Sequence, residues 1–522
     1  MSYQSISFLI FTFIVLILYY ALGRKAQKWV LLGANLVFLY ATGWQHIPFL
    51  LVSLLVSYLT GRKMGSIYDA ADVQLAACQD KTEKKQIRAD SKKQAKKFLV
   101  IGLILVIGML VLIKVAGFAI GAYNEGKKAA QQIDFFMPLG VSYYTFMAVS
   151  YMLDIFWKKA KAEKNIVSYG AFLCFFPHIV QGPIDRYNTV QKTLNEGAAC
   201  SFQNITHGLQ LAMWGFFKKM VIADRFSVIV NEVFGNHTEY AGSILLLTAI
   251  FSAFELYCNF SGCMDIVRGV AQMLGITIAK NFDRPFFSKS ASEFWRRWHI
   301  TLGAFFRDYV YMPLSISPKL TAFLKKVRDK FGMGLSKALM VIIPSFVVWL
   351  LTGLWHGTGI NYVLWGLYWF VLIASATVFA VPIKKFSEKI HLNTESKPWQ
   401  VVRMVRTFLL FLFSRVLTSV NTLEDFGGIL GGIFTRFQPG ALFDGTVFNL
   451  GLKPFDFFFG IAMVLVLWGV SLWQNKGSVR EAMDKWNVVL RWAVWFILLF
   501  AILLFGMYGP GFEASAFTYG KF

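Results

Sequence analysis

The sequence predicts an all-α polytopic membrane protein, and three observations carry that prediction. Apolar residues make up 56% of the 522 residues, and the mean hydropathy is positive. Apolar runs of about 20 residues, the length that a helix needs to cross a bilayer, recur along the whole chain. Basic residues cluster in the connections between these runs, as is typical of cytoplasmic loops. We therefore expect a single membrane domain over residues 1–522 without an attached soluble domain.

The apolar runs predict about eleven membrane-spanning helices. The first run, residues 5–22, has no basic segment before it and no small-residue cleavage site, so it predicts a spanning helix and not a removable signal peptide. The later spans are predicted at 29–45, 47–61, 98–117, 136–157, 240–262, 338–354, 361–381, 402–420, 455–473 and 490–508.

The charge distribution predicts the orientation of these spans. Lys and Arg exceed Asp and Glu by 52 − 29 = +23, an excess that in a soluble protein would suggest nucleic acid. Here the basic clusters follow the first, third and fifth spans, which places the N-terminus outside and residues 62–97 in the cytoplasm. Basic residues also precede the last span, namely Lys476, Arg480, Lys485 and Arg491, which places the tail 509–522 outside. We expect membrane lipids as partners and no nucleic acid. The polar segment 62–97 is predicted as a basic cytoplasmic loop, in preference to a helix that lies on anionic headgroups.

The middle of the chain, from about 167 to 335, has short apolar stretches that are broken by Gly, Pro and charged residues. Broken helices at membrane depth survive only where they line a cavity or pack inside the protein. Ionisable residues at that depth are costly and usually functional. We therefore expect the functional site in this region.

Two of the seven histidines stand out by their surroundings. His356 ends an apolar span between Trp355 and Gly357, where the indole provides a dry wall and the glycine allows close approach. A neutral imidazole in such a place is suited to act as general base for a hydroxyl that attacks an acyl carbonyl. The alternative is a hydrogen-bonded core histidine without a chemical role.

The second histidine, His299, lies in a segment that mixes aromatic residues with Arg296, Arg297, Arg307 and Asp308. Such a mixture suits an interfacial helix that holds an anionic group. The alternative, which the pattern favours equally, is an aromatic belt with arginines at the level of the lipid headgroups.

Five long runs of the sequence resemble the membrane-bound O-acyltransferase superfamily. They are MPLGVSYYTF at 137–146, FFPHIVQGPIDRY at 175–187, GFFKKMVIADR at 215–225, NFDRPFFSKSASEFWRRWHITLGAFFRDYVYMPL at 281–314 and LTGLWHGTGINYVLWG at 351–366. Within the superfamily they resemble the bacterial branch that holds the alginate O-acetylation protein and the D-alanyl transferase of teichoic acids.

The resemblance implies a ring of helices around a central tunnel, with a catalytic core over 135–370. It implies that His356 is the family's invariant histidine and His299 its second, less strict one. The family often has an Asp-Phe-Ser-Gly-Tyr-Ser-Asp run. Residues 259–265 of this chain differ from it at several positions but keep its last carboxylate, Asp265. We expect Asp265 at the substrate site, together with Trp355 and the charged residues around His299. The last six residues resemble a terminal motif whose tyrosine, here Tyr519, is proposed to carry the acyl group in transit.

The expected function is therefore an O-acyltransferase in the plasma membrane of a bacterium. It would move an acyl group, in the first place acetyl from acetyl-CoA, onto a hydroxyl of a cell-surface polysaccharide, directly or through an extracytoplasmic partner transferase. D-alanyl transfer from a carrier protein to teichoic acid is the alternative within the class, and a transporter is the alternative from another class. No inverted repeat supports transport. The five scattered cysteines lack the spacing of a metal site, so we expect neither a metal nor a bound cofactor.

Overall fold

Helices form nearly all the regular structure of the chain in a computed structural model that describes residues 1–124, 131–357 and 359–508. Within these ranges the only strand-like pairing is an isolated antiparallel bridge between Phe282 and Trp298. The prediction of an all-α protein is confirmed.

The α-helices in chain order are α1 Ile6–Ala21, α2 Arg24–Thr42, α3 Ile47–Ala77, α4 Lys81–Asn124, α5 Val141–Phe156, α6 Ile166–Leu173, α7 Tyr187–Glu196, α8 Phe202–Phe216, α9 Asp224–Gly235, α10 Gly242–Met273, α11 Ala291–Arg297, α12 Ile300–Phe306, α13 Met312–Ser315, α14 Pro318–Phe331, α15 Met333–His356, α16 Ile360–Val378, α17 Ala380–Lys389, α18 Lys397–Ser419, α19 Leu423–Thr435, α20 Pro454–Trp473, α21 Val479–Met483 and α22 Val488–Phe505. Two π-helical turns, Phe217–Ala223 and Arg307–Tyr311, are inserted before α9 and α13.

Every predicted span coincides with one of these helices. Among the described residues, seven helices are long and apolar enough to cross a membrane, namely α3, α4, α10, α15, α16, α20 and α22. Of the other four, α1 and α5 have 16 residues each, and α2 and α18 begin with basic residues. The chain is thus a multi-pass membrane protein. The total of eleven spans, the ring and the tunnel stay predictions.

The prediction of a loop over 62–97 is wrong as to its conformation. The helix α3 continues to Ala77 and α4 begins at Lys81, so that only residues 78–80 connect two long antiparallel helices. Lys, Gln and Ala are strong helix formers in water, and each polar stretch extends a helix whose apolar part is already nucleated. The polarity of the segment therefore marks solvent exposure and not irregular backbone.

The described residues form two compact units. The first comprises Met1–Ala212 and Val267–Ala279, and its centre is α5, which is buried along nearly its whole length. At the cytoplasmic end predicted for α3, Tyr68 donates a hydrogen bond to the carbonyl of Phe156, and Lys158 pairs with Asp72 at 3.1 Å. These contacts join the helical hairpin α3–α4 to the end of α5.

The second unit comprises Met213–Ile266 and, among described residues, 280–508. Its helices α15 and α16 are antiparallel neighbours that approach closely at two glycines. A Cβ added at Gly353 would lie 2.5 Å from the carbonyl oxygen of Tyr362, and one added at Gly366 would lie 2.5 Å from that of Trp349. Small residues that let helix backbones approach are typical of packing in membranes. This contact fixes the end of α15, where His356 lies.

Candidate active site

The two histidines singled out by the sequence meet at one place in the second unit. The ring of His299 lies 5.7 Å from the indole of Trp355, and that indole lies 4.5 Å from the ring of His356, measured between ring centroids. Both imidazoles are buried. Trp355 is therefore the wall that the two histidines share.

The position of His356 follows from the end of α15. His356 is the last residue of that helix, and Gly357 continues in extended conformation. A Cβ added at Gly357 would lie 2.2 Å from the ring of Tyr362, so the tyrosine ring occupies the space that any other side chain would need. The packing of Gly357 against Tyr362 thus fixes the end of α15, where His356 lies.

A cluster of tryptophans keeps this end of α15 dry. The ring of His356 lies 4.7 Å from that of Trp365. The ring of Trp295, on α11, lies 5.1 to 5.4 Å from those of Trp349, Trp365 and Trp369. Rings at these separations make favourable edge-to-face contacts. Charges that develop beside His356 would therefore act in a medium of low dielectric constant.

Asn281 holds His299 in place, and the sequence reasoning missed this residue. Its Oδ1 accepts hydrogen bonds from the backbone N–H of Thr301 at 2.9 Å and from the hydroxyl of the same residue at 2.7 Å, and it lies 3.4 Å from Nδ1 of His299. Since Oδ1 is only an acceptor, Nδ1 of His299 is the protonated nitrogen and Nε2 the basic one. Asn281 begins the run 281–314 that resembles the family, but an amide side chain gives no catalytic signal of its own.

His299 also has an unusual backbone. Its φ and ψ are 47° and 53°, in the left-handed region that few non-glycine residues adopt. The backbone N–H of Ile300 donates to the carbonyl of Asn281 at 3.0 Å, which fixes the turn before α12. Strained backbone that is held so firmly is concentrated at functional sites. Burial lowers the pKa of His299 to about 3, so this imidazole is neutral at physiological pH.

The charged residues predicted around His299 pair close to where they stand in the sequence. Arg297 pairs with Glu293 one helical turn away at 2.7 Å, and Arg307 pairs with the adjacent Asp308 at 2.7 Å. Arg296 is exposed. Their predicted role in binding substrate stays a prediction.

Asp265 has a buried partner that the sequence did not reveal. It accepts a hydrogen bond from Nζ of Lys218 at 2.7 Å, and the same ammonium donates to the hydroxyl of Ser261 at 3.0 Å. Lys218 lies in the π-helical turn 217–223, and its side chain is only 3% exposed. A buried ion pair of this kind suffices to explain the carboxylate. Tyr519, the predicted acyl carrier, lies outside the described residues.

Comparison with known proteins gives the site its context. The model of the membrane-bound O-acyltransferase family matches residues 124–325. A probable alginate O-acetylase of Pseudomonas fluorescens is 30% identical over 421 residues, which cover 80% of this chain and 72% of that protein. The chain belongs to the membrane-bound O-acyltransferase family. It is an O-acyltransferase, and the two histidines that meet at Trp355 are the best candidates for its active site.

Two further relatives of this O-acyltransferase cover less of it. A peptidoglycan O-acetyltransferase of Helicobacter pylori is 26% identical over 316 residues, which cover 55% of this chain and 57% of that protein. A teichoic acid D-alanyltransferase of Bacillus subtilis is 31% identical over 254 residues, which cover 48% of this chain and 61% of that protein. These relatives are bacterial enzymes, as the resemblance implied.

Proposed function

We propose that this O-acyltransferase moves an acetyl group from acetyl-CoA on the cytoplasmic side onto a hydroxyl of a cell-surface polysaccharide, with His356 as general base. The observation that carries the proposal is the pair of buried imidazoles whose rings both lie next to that of Trp355. Two nitrogen bases in a dry aromatic cluster suit proton transfer during attack on a thioester.

In the proposed reaction the acceptor oxygen attacks the thioester carbonyl while the ring of His356 takes the hydroxyl proton. The tetrahedral intermediate then expels the CoA thiolate, which receives that proton from the imidazolium, so that an ester and a free thiol result. The tryptophan cluster excludes water, which would otherwise compete with the acceptor for the acetyl group.

His299 has a different part in this proposal. It stays neutral because burial lowers its pKa, and its Nδ1–H faces Oδ1 of Asn281. Its Nε2 is then an acceptor that can hold the hydroxyl of the acceptor or a proton-bearing group of the donor. We therefore assign His299 to positioning and His356 to proton transfer.

The relatives support acetyl over D-alanyl. The similarity to a probable alginate O-acetylase covers 80% of this chain, whereas the similarity to a teichoic acid D-alanyltransferase covers 48% of it. D-alanyl transfer from a carrier protein is the second candidate. Mass spectrometry of surface glycans from cells with and without the protein separates the two, because the acyl group that disappears is identified by its mass. Loss of D-alanyl without loss of acetyl would overturn the proposal.

We further propose that Tyr519 receives the acetyl group before the final acceptor or a partner transferase does. Its phenol would form an ester with release of CoA, and a later hydroxyl would take over the acetyl and regenerate the phenol. The Tyr519→Phe variant lacks only the hydroxyl. Intact-mass analysis of the C-terminal peptide after incubation with acetyl-CoA should show an acetyl adduct in the parent chain and none in this variant. Full glycan acetylation by Tyr519→Phe would rule out the relay and leave direct transfer.

A further inference from the structure

A surface groove of the second unit combines apolar walls with a single arginine. The groove has a volume of about 510 Å³ and lies between α16 and α18. Its walls share an apolar or aromatic character and come from Tyr368, Val402, Val405, Leu409, Leu410 and Phe413, and Arg406 is its one charged residue. Val405 and Leu409 are each more than half exposed. The groove is therefore open to whatever surrounds these helices.

Arg406 belongs to a cluster of positive charge. Its Nη2 donates to the carbonyl oxygen of Lys289 at 3.0 Å, and Nε of Arg403 donates to the same oxygen at 3.3 Å. Two guanidinium groups that share one acceptor lie close enough to repel each other.

This cluster has no acidic partner in the part of the chain that the structure describes. The ion pairs there include neither Lys289 nor Arg403 nor Arg406. The nearby carboxylate of Glu293 is engaged by Arg297 at 2.7 Å and by the backbone N–H of Lys289 at 2.9 Å. Cations that a fold brings together without a counter-charge suit an external anion with several acceptor oxygens, such as a phosphate.

The direction of the groove identifies the kind of anion. On α18, Val402 and Val405 line the groove before Arg406, and the apolar positions 409, 410 and 413 line it after Arg406. From residue 406 to residue 413 the helix rises about 10 Å at 1.5 Å per residue. Tyr368 closes one side, because its hydroxyl donates to the carbonyl of Leu410 and its ring stacks on Phe413 at 5.0 Å. A ligand that fits has an anionic head and an apolar chain.

We propose that this groove is a binding site for an anionic glycerophospholipid. The phosphate contacts Arg403 and Arg406, and one acyl chain lies along Val405, Leu409 and Phe413. A free phosphate or a CoA molecule would use the cations alone, since neither has an acyl chain long enough to fill apolar walls of this length. The basic residues Lys384, Lys385, Lys389 and Lys397, between α16 and α18, predict that the N-terminal end of α18 faces the cytoplasmic leaflet.

The test is native mass spectrometry of the full-length protein, released from nanodiscs that contain phosphatidylglycerol and phosphatidylcholine in equal amounts. The parent chain should retain phosphatidylglycerol in preference to phosphatidylcholine. Arg406→Gln should lower that retention about tenfold, as expected when one charge-assisted contact is lost. Leu409→Trp, which fills the groove and keeps the cations, should lower it similarly. Lys385→Gln removes an exposed cation of α17, outside the groove, and should leave it unchanged.

Two outcomes would overturn the proposal. Equal retention of both lipids by the parent chain and by Arg406→Gln would show that the groove selects no anionic lipid. Unchanged retention in Leu409→Trp, together with displacement of the lipid by inorganic phosphate or CoA, would show that the cations bind a free anion and that the groove plays no part. Val405→Trp repeats the groove test at a second position, so that misfolding of one variant does not decide the result.

Discussion

The indole of Trp355 packs edge-on against the imidazole of His356, with 4.5 Å between the ring centroids. The same indole lies 5.7 Å from the ring of His299. The two histidines are 57 positions apart in the sequence, so only the fold explains why they share a neighbour. This arrangement separates a group that transfers a proton from one that positions a reactant, and the separation can be tested.

His356→Ala should abolish acyl transfer, because no other group in the proposed reaction takes the hydroxyl proton. Loss of a general base typically lowers the rate by about 10²–10⁴-fold. The measurement is acetyl transfer from labelled acetyl-CoA by protein in liposomes, with the elution profile in detergent as the check of folding. His391→Asn is the matched control, since His391 is exposed and has a φ of 52° that asparagine tolerates. Near-normal turnover by His356→Ala would remove the proposed base.

His299 should affect stability as a function of pH but should not produce a limb of the pH–rate profile. Its pKa is lowered to about 3 by burial, whereas an unfolded histidine has a pKa near 6.5. Between about pH 6.5 and pH 3 the unfolded state therefore binds one proton that the folded state does not bind at His299. The contribution of His299 to the free energy of unfolding is full above pH 6.5 and declines as the pH falls below it.

Thermal unfolding of the purified protein at several pH values measures this effect. His299→Gln should show a weaker loss of Tm between pH 7 and pH 5 than the parent chain, and its activity should fall only in part. If His299→Gln were as inactive as His356→Ala, the two residues would act as one catalytic unit. The division of roles would then be wrong.

Gly357→Ala should disrupt the end of α15, because the added Cβ would lie 2.2 Å from the ring of Tyr362. We expect overpacking to cost about 1–3 kcal/mol and to move His356 out of place. Gly334→Ala, in the same helix, is the matched control, since nothing lies within 4 Å of a Cβ at that position. Activity and Tm of both variants give the measurement. The double variant Gly357→Ala/Tyr362→Leu should recover part of the loss, and a failure to recover any of it would point to a cause other than the ring.

Asp265 should prove to be a partner of Lys218. Removing one member of a buried pair leaves an uncompensated charge and typically costs about 3–5 kcal/mol, whereas replacing both by apolar residues is often neutral. Asp265→Leu alone should therefore lose expression and Tm, and Lys218→Met/Asp265→Leu should regain both. Acyl transfer that stays absent in a well-folded double variant would show that the carboxylate contacts substrate, as the sequence had suggested.

The sequence predicts the helices and the two histidines well, because long apolar runs and a histidine beside a tryptophan and a glycine are local signals. The prediction from sequence is wrong at 62–97, where the polar composition predicts a loop. The Lys, Gln and Ala residues of this segment instead continue the helices α3 and α4. The sequence gives no signal for Asn281, because its role depends on a contact with His299, which stands 18 positions later in the chain. The partner of Asp265 was hidden for the same reason, since Lys218 reaches it from another helix.

Asn281→Ala should lower activity through His299 and not through the chemistry of His356. It removes the acceptor of both Thr301 hydrogen bonds and the group next to Nδ1 of His299. A buried N–H left without its acceptor costs about 1–3 kcal/mol, so Tm should fall. The freed ring of His299 loses its fixed tautomer, which should raise KM for the acceptor or the donor more than it lowers kcat.

Thr301→Val is the matched control, because it deletes only the hydroxyl and keeps the backbone N–H that donates to Asn281. Parent-like kinetics in Thr301→Val beside a raised KM in Asn281→Ala would support positioning by Asn281. A fall in kcat alone for Asn281→Ala, as large as that of His356→Ala, would place Asn281 among the reacting groups instead.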